Sequence, residues 1–103
     1  MFGKKKPAGE KISPTEAQVN IIANQIERLG PGQSLSYKLP ESFGGELVVI
    51  ELNPRYPDKE RKYILSTDKI VDGEPAGKKH LLFGHDKPRV LARWVVDRDG
   101  EAF

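Results

Sequence analysis

The segment Gly73-Glu74-Pro75-Ala76-Gly77-Lys78-Lys79 holds two glycines followed by lysine, the materials of a loop that cradles phosphate. Its spacing argues otherwise. Three residues separate the glycines, fewer than a P-loop requires, and Lys79 stands where serine or threonine would hold magnesium. The segment also leads into an expected strand instead of opening a helix, so it reads as a hairpin turn and implies no nucleotide cofactor. His80 and His85 are the chain's two histidines, and there is no cysteine to join them around a metal. On a strand, residues five apart face opposite sides and could share a metal only if the chain bends at Gly84, so the expected roles are surface histidines, or His85 helping to cap near Asp86.

Catalysis would need a convergent set. Ser42, Ser66 and Thr67 lie in no nucleophile elbow. Glu41 and Glu46 flank a glycine pair, and Asp68 and Asp72 flank Ile70; carboxylates in turns are ordinarily solvated. The expectation is a protein that is not an enzyme, with no catalytic, cofactor or metal residues to assign.

Binding surfaces are better supplied. Arg55, Tyr56, Lys59, Arg61, Lys62, Lys78 and Lys79 mix cations with an aromatic ring at turns, a combination that binds phosphate and stacks on bases. Asp58 and Glu60 dilute that patch, so weak nucleic-acid binding through Arg55, Tyr56, Arg61, Lys62, Lys78 and Lys79 is the second reading. The first reading uses the side chains that alternation sends away from the core. Leu47, Val49 and Ile64 are expected on the solvent face of a sheet with Lys38 and Lys62 around them, as contacts for a protein partner or a second copy. On this reading a charge at Val49 weakens association.

The elements that must position these residues follow from hydrophobic period. From Ser13 to Leu29 the period is helical, with Val19, Ile22, Ala23, Ile26 and Leu29 on one stripe and Ile21 off it. Ser13-Pro14-Thr15-Glu16 fits a capping box with proline in the first helical position, and Gly30-Pro31-Gly32 supplies a left-handed stop. From Leu35 to about Phe83 the period is two. Leu35, Tyr37, Leu39, Val48, Ile50, Leu52, Tyr63 and Leu65 share the expected core face. Pro40 to Gly45 and Asn53 to Lys59 are turns, and a fourth strand is expected from Lys79 to Phe83, with strand three running on through Ile70 and Val71.

Residues 86–99 satisfy both periods. As a helix capped by Asp86 and stopped at Gly100, the segment puts Val90, Leu91, Trp94 and Val95 on one stripe; as a strand, Val90, Ala92, Trp94 and Val96 alternate. Length, the two caps and an acidic polar side favour the helix, with Trp94 as its anchor on the sheet.

The fold class is therefore α+β: a two-layer sandwich in which an antiparallel meander of three to four strands carries an N-terminal and a C-terminal helix on one face, in the order αββββα. At 103 residues one domain is expected, covering 13–103 behind a flexible basic arm at 1–12 that holds Lys4, Lys5, Lys6 and Lys11. The net charge of +2 is small for a nucleic-acid domain. A cysteine-free chain with no signal or membrane-spanning pattern is expected in the cytoplasm. The reading that emerges is a small non-catalytic interaction module.

Overall fold

A computed structural model describes residues 14–56 and 61–103. The basic arm, Ser13 of the expected capping box and Lys59 lie outside the described residues. The rest forms α1 (Pro14–Glu27), β1 (Ser34–Lys38), a short 3-10 turn (Glu41–Phe43), β2 (Leu47–Leu52), β3 (Tyr63–Asp68), β4 (Ile70–Val71), β5 (Glu74–Pro75), β6 (His80–His85), α2 (Pro88–Val96) and β7 (Glu101–Ala102). One antiparallel sheet runs in the order β6-β3-β2-β1-β7, and β4 and β5 make a separate miniature hairpin. The α+β class and the meander match the sequence reading. The sheet has five strands because β7 adds itself to the free edge of β1.

Both helices lie over the Val48 and Ile50 face. Val19, Ile22, Ala23 and Ile26 of α1, and Leu91, Ala92 and Val95 of α2, are buried against Tyr37, Leu39, Val48, Ile50, Tyr63 and Leu65, with Leu35, Leu52, Phe83 and Trp94 packed around them. Ile21, off the stripe, is 52% exposed. The stripe of α2 is rotated from the expected one: Ala92 is inside and Val90 outside. Trp94 is half-buried, its ring centroid 6.2 Å from that of Phe83 in β6, and the Arg98 guanidinium covers the ring at 4.0 Å. It anchors α2 to the sheet from the rim of the core. The two helices are also clamped polar side to polar side, because Glu16 accepts from Arg89 and Arg93, and Asn20 accepts from Arg89. Those bonds, Arg93 first, hold the Glu16 carboxyl below its ordinary range.

The turns are sharper than their composition suggested. Gly30 does not carry the left-handed stop. Leu29 closes α1 with a bond to the Ile26 carbonyl, and Gly30 to Gln33 then form a turn closed by the Gln33 amide on the Gly30 carbonyl, with Pro31 and Gly32 (φ 80°) at its centre. Proline followed by a left-handed glycine is the signature of a type II turn. Asp72 (φ 53°) and Gly73 (φ 80°) form the two-residue loop between β4 and β5, so strand three does not continue through Val71; Asp-Gly is the pair that such a twisted loop selects.

Asp86 does not cap α2. The helix starts at Pro88, which makes Lys87 its cap, and the Asp86 carboxylate instead accepts from the Lys62 amide at 2.7 Å. At the other end, the Gly100 amide bonds the Val95 carbonyl and the Asp99 amide bonds that of Val96, the paired bonds of a Schellman stop. The left-handed residue is Asp99 (φ 57°), while Gly100 is needed for space, since a Cβ there would meet Val95 Cγ1 at 2.6 Å. Asp99→Gly should therefore raise stability by about 0.5–1 kcal/mol by relieving the backbone strain. Urea unfolding that shows equal or lower stability would refute this account of the turn.

Candidate interaction surfaces

The second sheet face was the expected binding surface, and the strand register shows what occupies it. Directly opposed residues share a face, so Lys38, Leu47 and Asp68 form one row; Ser36, Val49, Ser66 and Leu81 the next; and Ser34, Glu51, Ile64 and Gly84 the third. Leu47 is 2% exposed and Val49 7%. The chain itself covers them.

Two sets of contacts cross this face beside them. Asp68, at the end of β3, is buried, and its carboxylate accepts from the amides of Lys69 (2.7 Å), Gly77 (2.8 Å) and Lys78 (3.2 Å). This draws the 76–79 segment back beside Leu47. From there the Lys79 ammonium reaches the Glu51 carboxylate at 2.8 Å. Lys79 precedes the His80–Thr67 pair and Glu51 lies opposite Ile64, so this contact spans the row of Val49 and Ser66 between them. Lower on the same face, Arg61 packs on Gly84: a Cβ there would meet Arg61 Cβ at 2.9 Å and the Tyr63 carbonyl at 3.0 Å. Ile64 is half-buried, Lys38 stays exposed opposite Glu101 of β7, and the Lys62 ammonium turns over the Tyr63 ring at 5.6 Å. The apolar surface that remains on this face is at its β6 margin, where Leu81 is exposed.

Asp68 thus departs from the expectation of a solvated turn carboxylate. Burial pushes its carboxyl up, but the three amides together, with His80 nearby, outweigh it and hold the group below its ordinary value.

The basic set divides in two. Arg55, Tyr56, Arg61 and Lys62 gather where the β2–β3 connection meets the α1–β1 turn. Asn53 builds this end: its side chain accepts from the Arg55 amide and donates to the Arg61 carbonyl, its own amide bonds the Lys62 carbonyl, and its carbonyl takes the Tyr56 amide. Tyr56, 47% exposed, lines a groove of about 460 Å³ with Pro31, Leu52, Pro54 and Lys62. Lys78 and Lys79 belong to the opposite end of β3, beside the β4–β5 hairpin, and Lys79 is engaged by Glu51. One continuous patch of all six residues does not form.

His80 and His85 occupy the two ends of β6, opposite Thr67 and Tyr63. Among the described residues, no group of three or more histidines and carboxylates is placed to hold a metal. No helix among them is long and apolar enough to cross a membrane.

A surface that the sequence reading passed over is β6 itself. It is the last strand on its side of the sheet, and Leu81 and Leu82 within it are 63% and 51% exposed. The register slips between Leu65 and Ser66, which leaves Leu82 as the extra residue of a bulge. Phe83 turns inward to Trp94. The sequence shows an apolar Leu81-Leu82-Phe83 run but no sign of which strand ends the sheet. Comparison with protein-family models, with curated proteins and with solved structures finds no match to this chain.

Proposed function

We propose that this protein is a non-catalytic interaction module that receives an extended segment of a partner protein along the outer edge of β6. The observation that carries the reading is an edge strand with two adjacent exposed leucines and, from Leu81 to Gly84, no charged residue or proline. Proteins ordinarily blunt such edges with lysine, proline or a covering loop, because unpaired backbone groups beside apolar side chains recruit another strand. The centre of the second face is closed over Leu47 and Val49, whereas β6 offers exposed leucines on a strand that ends the sheet. The absence of cysteine supports work in the cytoplasm.

Affinity capture from a cytosolic extract, read by quantitative mass spectrometry, tests this with wild type against Leu82→Lys. The substitution lies at an exposed position, so the thermal midpoint should hold while specific partners are lost. Identical capture by the two proteins would count against the edge.

A second reading has its own observation, since Tyr56 and Lys62 line one groove and Asn53 ties the backbone of Arg55 and Arg61 beside it. A single strand of nucleic acid stacked on Tyr56 would bind with steep salt dependence, and Tyr56→Ala should weaken it about tenfold or more. Anisotropy of labelled oligonucleotides at low salt decides it; no signal with either DNA or RNA removes this reading.

A further inference from the structure

Resting on the β6 edge as the docking site, we infer that the segment it selects is acidic, and that it joins the sheet as an added strand beside β6. In an antiparallel ladder every second residue turns its N–H and C=O away from its existing neighbour, so β6 pairs with β3 on one side and presents donors and acceptors on the other, in two short stretches that the Leu82 bulge divides. Among the described residues, the backbone hydrogen bonds outside helices and ladders include none to His80–His85. The side-chain contact on this backbone is a long one, from Arg61 Nη1 to the Gly84 carbonyl at 3.5 Å.

Charge then chooses among occupants. Lys69 and Lys78 meet at the start of the strand, where both amides bond Asp68, and Arg61 and Lys87 flank its end, Arg61 on the Gly84 carbonyl and the Lys87 amide on His85 Nδ1. One carboxylate sits among the cations at each end, the buried Asp68 accepting from three amides and the exposed Asp86 accepting from the Lys62 amide, and two cations against one carboxylate leave each end with an excess of positive charge. Asp72 and Glu74 lie on the β4–β5 hairpin, away from the strand itself. An incoming strand thus meets cations at both ends of an apolar centre, and acidic residues flanking aliphatic ones complement both features. A second copy fits worse, because antiparallel pairing of β6 with itself sets Lys78 of one copy against Lys87 of the other. Nucleic acid fits worse as well. The aromatic ring of this strand is turned inward onto Trp94, so no stacking platform faces the edge.

Four labelled peptides of alternating valine and a second residue, titrated by anisotropy, test the inference: glutamate as the second residue, glutamine, lysine, and the glutamate peptide with every second amide N-methylated. The glutamate peptide should bind about tenfold tighter than the glutamine one, as two or three exposed ion pairs supply, and the lysine peptide more weakly still. N-methylation should abolish binding, and Lys78→Glu with Lys87→Glu should erase the preference for glutamate. Equal binding of glutamate and glutamine peptides would overturn acidic selection while leaving the docking edge intact. Equal binding of the N-methylated peptide would overturn strand addition. No binding by any of the four, displacement by single-stranded RNA, or a concentration-dependent dimer that excludes the peptide would each overturn the inference.

Discussion

Ile50→Ala should lower the unfolding free energy by about 2–5 kcal/mol, the range for truncating a fully buried aliphatic side chain that leaves a cavity. Ile50 is 0% exposed in β2, the middle strand, opposite Leu35 on one side and Leu65 on the other, beneath the two helices. No neighbour can collapse into the gap without pulling a strand from its register or a helix from its stripe. A domain of this size has about 5–15 kcal/mol in total, so the loss is a large fraction of it. Urea unfolding should show a lower midpoint with an unchanged slope. Ile21→Ala, at a half-exposed position on α1, should change stability by less than about 0.5 kcal/mol. If the two variants prove alike, the helices do not cover the Ile50 face and the layered fold is refuted.

The fold was legible because period maps onto burial: the α1 stripe and the alternating core face of β1, β2 and β3 lie where the sequence put them. The second face was not, although the signal was there. Leu47-Val48-Val49-Ile50 is a continuous apolar run, the pattern of a strand buried on both faces, and alternation was the wrong template for it. Around Leu47 and Val49 stand Asp68 with its three amides and the reach of Lys79 to Glu51, contacts that no local periodicity encodes. The same holds for the division of the basic residues. Arg55 and Lys78 both follow strands in sequence, and only the order of the meander assigns them to opposite ends of β3. Asp86 shows a smaller failure of local reading, since a plausible cap one residue early is drawn off by the Lys62 amide. The β6 edge became visible only with the strand order, because an apolar run reads the same in a central strand as in an outer one.

Asp68→Ala should release the cover of the second face without dismantling the helical layer. The carboxylate is the shared acceptor for the amides of Lys69, Gly77 and Lys78, and it alone ties the return of the β4–β5 excursion to the end of β3, apart from the bond from the Ala76 amide to the Lys69 carbonyl. Without it, three amides lose their charged acceptor, and hydrogen exchange at Gly77 and Lys78 should speed up by about two orders of magnitude or more, because opening of this segment no longer breaks a charged bond. Exchange at Val48 and Ile50 should follow only the global stability. Acid should mimic the substitution. Because the amides hold the Asp68 carboxyl below its unfolded value, its contribution is fully present above that value, about pH 4, and disappears as pH falls through the folded one. Glu16, lowered by Arg93 and Arg89, titrates with the same sign, so the two must be separated. Asp68→Asn, which keeps one carbonyl acceptor, should remove part of the acid-induced loss and leave exchange at Gly77 independent of pH beyond the intrinsic chemistry, whereas Glu16→Gln should remove another part and leave the pH response at Gly77 as it was. An acid profile identical in wild type and Asp68→Asn would show that the carboxylate does not hold this segment down, and the burial of Leu47 and Val49 would then need another cause.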